Sequence, residues 1–208
     1  MAKPVTFWLE FASPYSYLSA MRVDAEAQVR GVEVAWKPFL LGPIFQAQGW
    51  DTSPFSIYPA KGQNMWRDVE RRADKFGIPF RRPGPDDPRA FPQHSVLAAR
   101  VAIAALQEPW GRDLCRRIYQ AEFVLGLNIS DPNVIGDCID SAGGMHQTYL
   151  HMARSNEQKT ILRRHVEQAQ ELGIFGAPTF SVDGELFWGD DRLEDALDWA
   201  LRDEGDEE

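Results

Sequence analysis

Cysteine is scarce in this chain: two residues in 208, Cys115 and Cys138. That excludes a disulfide framework and the paired cysteine spacings of zinc sites. Both fall in helix-like sequence and read as buried core thiols. The four histidines, His94, His146, His151 and His165, form no i, i+4 pair with one another or with cysteine, so no metal site is expected. No glycine-rich phosphate loop follows a strand pattern, and no Gly-x-Ser-x-Gly elbow is present. Basic charge is short as well: 22 Lys and Arg against 31 Asp and Glu, a formal net charge of −9. Nucleic acid and anionic membranes both need a basic face, so neither is expected as a partner. An anionic small molecule would have to be met by local Lys and Arg. No apolar run reaches about 18 residues, and no basic flank with an apolar signal run opens the chain. The chain reads as soluble and cytoplasmic.

What is present is an ordinary globular composition, 44% apolar, with strong periodic patterns. Residues 5–11 read as a strand, with Val5, Phe7, Leu9 and Phe11 on one face. A helix follows from Pro14 to about residue 29, and Gly31 is placed to stop it. A second strand runs Val32-Glu33-Val34-Ala35-Trp36-Lys37-Pro38, which makes a right-handed βαβ unit. A short helix is possible near residues 43–48. Helical patterns then fill residues 61–77, 96–106, 110–124, from Asp131-Pro132 onward, and from the Ser155-Asn156-Glu157-Gln158 capping box to just before Gly173. Between the first two lies a proline-rich connection (Pro79, Pro83, Pro85, Pro88, Pro92), either a rigid loop or the wall of a binding cleft. No strand signal interrupts residues 60–172. Two β-rich runs flanking Asp183-Gly184 read as a hairpin. A last helix covers about 192–202, and a charged tail follows at 203–208.

Two stretches carry chemistry. In Phe11-Ala12-Ser13-Pro14-Tyr15-Ser16-Tyr17-Leu18 a strand ends and a helix begins. Pro14 suits the first helical position and Ser13 the cap before it. Ser13 therefore sits beside the free N–H groups of a helix terminus, a place that favours anions, thiolates included. The plain alternative is a helix cap and nothing more. The second stretch is Phe175-Gly176-Ala177-Pro178-Thr179-Phe180, a loop with proline after a glycine-ended helix and before the hairpin. Asp191 with Glu194 fits a capping box for the last helix. Lys61 lies at a helix start, where a cation opposes the dipole. An anionic ligand would account for it there; a solvated surface lysine is the alternative.

Taken together, these pieces resemble the DsbA-like branch of the thioredoxin superfamily, with Ser-Pro-Tyr-Ser where redox members carry Cys-x-x-Cys. The resemblance is nearest to the kappa-class glutathione transferases and the bacterial 2-hydroxychromene-2-carboxylate isomerases. It is carried by Ser13-Pro14-Tyr15-Ser16-Tyr17-Leu18, Pro59-Ala60-Lys61-Gly62, Met65-Trp66-Arg67-Asp68, Phe91-Pro92, the Phe175–Phe180 stretch and Phe187-Trp188-Gly189-Asp190-Asp191-Arg192, in order along the chain. It implies an α/β thioredoxin-like fold with a large all-helical insertion. The thioredoxin-like part would be discontinuous, 1–58 and 173–208, around a helical unit at 59–172. It implies a cis Pro178 facing the first helix, and a glutathione site. Ser13 would hold the thiolate, the Ala177-Pro178 backbone the cysteinyl part, and Lys61 the glycyl carboxylate or the substrate. Asp190 and Asp191 would take the γ-glutamyl ammonium. Thr52 falls near the family position often held by Asn, and His94 also stands where Asn is expected. A homodimer is implied only by the resemblance.

The expected activity is glutathione-dependent cis–trans isomerisation of 2-hydroxychromene-2-carboxylate in aromatic-hydrocarbon breakdown, with Ser13 as the catalytic residue and an aromatic small molecule as substrate. The alternatives are a kappa-type transferase that conjugates glutathione to electrophiles, and a non-catalytic glutathione- or peptide-binding module. Dithiol redox activity is not expected, because Ser13 and Ser16 replace both sulfurs.

Overall fold

The computed structural model describes residues 2–84, 87 and 91–202; Pro85, Pro88 and the charged tail at 203–208 lie outside the described residues. In chain order the elements are β1 (Val5–Leu9), α1 (Pro14–Arg30), β2 (Val34–Pro38), α2 (Leu41–Ala47), α3 (Pro54–Ile57), α4 (Pro59–Phe76) and α5 (Val96–Ala105). There follow α6 (Gly111–Phe123), α7 (Pro132–Ala142), α8 (His146–Arg154), α9 (Asn156–Glu171), β3 (Thr179–Val182), β4 (Glu185–Trp188) and α10 (Leu193–Trp199), the last preceded by a 3-10 turn at Asp190–Arg192.

The strands form one mixed sheet in the order β2-β1-β3-β4. β1 runs parallel to β2, Val5 opposite Val34 through Leu9 opposite Pro38, as a strand–helix–strand connection dictates. β3 pairs antiparallel with β1, Phe180 opposite Phe7, and β4 closes the hairpin. Its turn residues Asp183 (φ 50°) and Gly184 (φ 88°) are both left-handed, the geometry that an Asp-Gly hairpin uses. Among the described residues no strand lies between Pro38 and Thr179. The fold is thus α/β and thioredoxin-like, with α2 to α9 between its two strand pairs, as the DsbA-like resemblance implies.

β1 is central and buried on both faces. The Phe7 ring lies 5.2 Å from Trp36 and from Phe180 in a core that continues through Tyr17, Leu18, Met65 and the α5 alanines. Trp8 faces the other way, into a smaller cluster with Phe39, Ile44, Ala169, Ile174 and Ala177. Burying such a side chain stabilises by roughly 1.5–3 kcal/mol. The second cluster also fixes the Ala177 loop beside the end of β1.

Helix termini follow local chemistry. Gly31 (φ 65°) caps α1 by giving its N–H to Ala27 and Gln28 carbonyls, and the Asp131 carboxylate caps α7 through Asn133 N, 2.8 Å. Some boundaries differ from the sequence pattern. β1 stops at Leu9 because Glu10 turns inward and its carbonyl accepts from Ser13 N, 3.1 Å. β2 opens at Val34, since Val32 N closes the α1 terminus on Ala27 O. α8 is invisible in the pattern: its cap comes from outside, with the Asp140 carboxylate accepting from His146 N at 3.0 Å. The Asp191–Glu194 capping box does not form. α10 starts at Leu193 without a side-chain cap; Asp191 pairs with Arg192, and Glu194 pairs with Arg22 at 2.7 Å.

Candidate functional site

The C-terminal end of β1, the start of α1, the 40–55 segment, the 91–96 segment and the 175–177 and 188–191 turns surround one cleft of about 870 Å³. That is near the top of the range of about 300–1,000 Å³ usual for small-molecule sites. Ser13, Thr52, Lys61, Ala177, Asp190 and Asp191 all line it. Pro178 does not; it stands behind, in a cis peptide with Ala177, and its carbonyl accepts from Gly189 N at 3.0 Å.

Ser13 is the N-cap of α1, and its hydroxyl oxygen accepts from Ser16 N at 3.2 Å. The same hydroxyl lies 2.9 Å from the Ala177 carbonyl. A carbonyl has no proton to give, so the Ser13 O–H donates there. Capping and facing the cis-proline loop are therefore two properties of one side chain. Among the described residues the only charge–aromatic contact of Lys61 is with Phe55, its Nζ 5.6 Å from the ring, and no carboxylate pairs with it. It is an exposed cation at the N-terminal turn of α4, against the dipole, on the cleft wall. Thr52 is exposed nearby.

The two aspartates of the 190–191 turn have different surroundings. Asp190 is 1% exposed. Its Oδ1 accepts from Ser19 Oγ at 2.8 Å, its Oδ2 from Arg72 Nε at 2.7 Å, and Arg22 stands 4.0 Å away. Its oxygens are already engaged inside the protein. Asp191 is about half exposed and touches Arg192, which leaves it as the accessible carboxylate of the pair. Arg72 stacks near Phe76 as well, so among the described residues the one arginine lining the cleft is held by Asp190. Tyr15 donates to Asp68 Oδ2 at 3.0 Å. Burial, then Asp68, hold its phenol well above the usual range.

Glu10 lies at the cleft floor and was not legible as a site residue. It is 5% exposed. Its Oε1 accepts from Ala12 N at 3.3 Å and from the Ser95 hydroxyl, and its Oε2 from Leu41 N at 2.9 Å. Burial raises its carboxyl above the ordinary value, against the opposing effect of the Ser95, Leu41 and Ala12 hydrogen bonds. Leu41 opens α2, which has no side-chain cap of its own, and Ser95 precedes α5. One carboxyl thus ties three cleft walls together. The only sequence signal for it is a carboxylate between two apolar residues at a strand end.

Aromatic rings edge the cleft. Phe45 and Trp50 form a pair at 5.9 Å and Phe175 and Trp188 a pair at 4.7 Å, with Phe175 and Trp188 each about half exposed. A planar apolar group would find partners on both sides. The thiols lie elsewhere: burial pushes Cys115 up to about 12 and Cys138 up to about 11, so neither is a nucleophile. Among the described residues no group of three or more His, Cys, Asp or Glu is placed to hold a metal, and no helix is long and apolar enough to cross a membrane.

A family model described as a DSBA-like thioredoxin domain matches residues 4–199. The chain is 26% identical over 201 residues to a 2-hydroxychromene-2-carboxylate isomerase of Sphingobium xenophagum, covering 93% of this chain and 96% of that one. It is 27% identical over 220 residues to glutathione S-transferase kappa 2 of Caenorhabditis elegans, covering 95% and 91%. Among solved structures, that of a 2-hydroxychromene-2-carboxylate isomerase superposes with a TM-score of 0.79 at 24% identity, covering 95% of this chain and 93% of the other.

Proposed function

The chain belongs to the DSBA-like thioredoxin domain family, and from that premise we propose that it is a glutathione-dependent cis–trans isomerase acting on a substrate of the 2-hydroxychromene-2-carboxylate type. Its curated relatives are isomerases and glutathione transferases, so an enzyme is the expected class. Once the cyclic hemiketal has opened to the cis keto acid, bound glutathione supplies a thiolate that adds reversibly to the conjugated double bond, permits rotation about it, and leaves again. The observation that carries the reading is the Ser13 hydroxyl, set at the α1 terminus against the Ala177-Pro178 loop and opening onto an aromatic-edged cleft.

In this reading Ser13 holds the sulfur by a charge-assisted hydrogen bond, beside the positive end of α1. Lys61 takes a glycyl carboxylate. Asp191 takes the γ-glutamyl ammonium, while Asp190 holds Arg72 and shapes the turn. Ala177 presents its backbone to the cysteinyl part, and Thr52 lends a hydroxyl at the rim. The aromatic substrate lies between the Phe45–Trp50 and Phe175–Trp188 pairs. The kappa-class similarity, as high as that to the isomerase, favours a second reading, permanent conjugation of glutathione to an electrophile at the same site. A homodimer in the cytoplasm, and a place in aromatic-hydrocarbon breakdown, belong to the proposal as well.

The test is incubation with 2-hydroxychromene-2-carboxylate, with and without glutathione, while following the trans-o-hydroxybenzylidenepyruvate spectrum. Isomerisation with catalytic glutathione supports the isomerase. Stoichiometric loss of glutathione supports the transferase. Binding without either turnover would leave a glutathione- or peptide-binding module.

A further inference from the structure

A double bond cannot rotate while the electron pair displaced from it has nowhere to rest. When a thiolate adds to the carbon β to a carbonyl, that pair comes to the carbonyl oxygen, and the oxygen needs a donor. Ser13 serves the sulfur end, so the donor must stand elsewhere on the cleft.

Most of the acid–base groups that line the cleft are already engaged. Glu10 is held by Ala12, Leu41 and Ser95, and Tyr15 by Asp68. Asp190 and Arg72 hold each other, and Asp191, accessible beside Arg192, takes the glutathione ammonium in the reading above. Asp51 is a carboxylate and brings charge of the wrong sign. Among the described lining residues Lys61 and His94 remain. Lys61 stands at the glutathione end in the reading above. His94 lines the cleft, is exposed, and among the described residues its ring has no hydrogen-bond partner.

Its setting is rigid on both sides. The Gln93 amide clamps the 127–129 loop, donating to Leu127 O at 3.1 Å and accepting from Ile129 N at 2.8 Å. The Ser95 hydroxyl donates to Glu10. Upstream, Ser56 Oγ donates to Phe91 O at 3.2 Å, and the Phe91 ring packs against Trp66 at 4.7 Å. A segment fixed through Phe91, Gln93 and Ser95 leaves one polar side chain between them free to meet a ligand. Imidazole can both give and take a proton.

We propose that His94 is the proton donor and acceptor for the carbonyl oxygen of the ring-opened electrophile. This rests on the isomerase reading above. His94, protonated, gives its proton to the oxygen as the carbon–sulfur bond forms and the π pair moves onto that oxygen. After rotation, neutral His94 takes the same proton back as the double bond re-forms and the carbon–sulfur bond breaks. Electrons and protons balance over the cycle, and no oxidant or reductant is used.

The experiment compares the wild type with His94→Ala, His94→Asn and Lys61→Ala. The readouts are kcat for 2-hydroxychromene-2-carboxylate, rescue by added imidazole, and the imidazole nitrogen shifts of the glutathione-free protein titrated with trans-o-hydroxybenzylidenepyruvate. Expected are a fall in kcat of about 100-fold or more in His94→Ala, partial recovery with imidazole, unchanged glutathione affinity, and ligand-induced shifts at His94 but not at His146 or His151. His94→Asn, which keeps a donor but moves no proton, should fall between. Full activity in His94→Ala overturns the proposal alone, as does loss in Lys61→Ala without loss in the His94 variants. Absence of turnover in the wild type removes the isomerase reading and this proposal with it.

Discussion

Removing one oxygen atom, by Ser13→Ala, tests the reading at its centre. In the free protein the Ser13 hydroxyl accepts from Ser16 N and donates to Ala177 O. Loss of the cap should cost about 1 kcal/mol of stability, and loss of the second bond about another 1 kcal/mol. The variant must therefore be shown folded first. For the ligand the arithmetic is a difference. A thiolate that attracts the Ser13 proton gains a charge-assisted bond of about 1.5–3 kcal/mol, at the expense of a neutral bond of about 0.5–1.5 kcal/mol. The net is about 1–1.5 kcal/mol, or about one pKa unit on the bound thiol. The α1 terminus adds roughly 0.3–1 kcal/mol, which the mutation leaves in place. The assay is the ultraviolet thiolate absorbance of bound glutathione against pH, in wild type and variant. The variant's curve should lie about one unit higher, with affinity at high pH nearly unchanged and turnover at neutral pH much reduced. Superimposed titrations would refute the argument and leave Ser13 a helix cap.

Lys61→Ala should weaken glutathione binding by about 1–3 kcal/mol in calorimetry without changing the melting temperature; lost stability with intact binding would make Lys61 structural. Asp191→Asn should reduce glutathione affinity about tenfold, roughly 1.4 kcal/mol, and spare the fold. Asp190→Asn should instead destabilise by about 3–5 kcal/mol, because Arg72 and Arg22 lose a buried counter-charge; equal effects of the two variants would contradict this division. For Glu10 the sign follows from its raised carboxyl. The folded state holds the proton more tightly than the unfolded one, so its contribution is full below the ordinary carboxyl range and is lost as pH rises through the folded value. The stability of wild type minus that of Glu10→Gln, from urea unfolding, should therefore decline as pH rises from about 4.5; a flat difference would show that Glu10 does not titrate differently on folding.

The sheet and most helices could be read from the chain because their signals are local. Ser13-Pro14, Asp131-Pro132 and Ser155 sit at helix starts with their own side chains on the next turn, and Asp183-Gly184 turns the hairpin. Where the deciding atom lies elsewhere in the chain, the pattern is silent. α8 depends on Asp140, six residues before His146. The expected Asp191–Glu194 box is displaced by Arg192 and by Arg22, the latter 172 positions from Glu194.

The site divides the same way. Ser13 and Ala177 each stand out locally, one by a Ser-Pro at a helix start and the other by a proline before a hairpin, and the fold brings them to 2.9 Å. Glu10 has no such mark, because its importance lies in three donors from three segments: Ala12, Leu41 and Ser95. Those same bonds give His94 its setting, since the Ser95 hydroxyl that fixes the residue next to it is bound to Glu10. A sequence pattern can therefore point to Ser13 and Ala177, the residues proposed to meet the sulfur. The atoms that hold the opposite wall emerge only when strand end, α2 and α5 converge on one buried carboxyl.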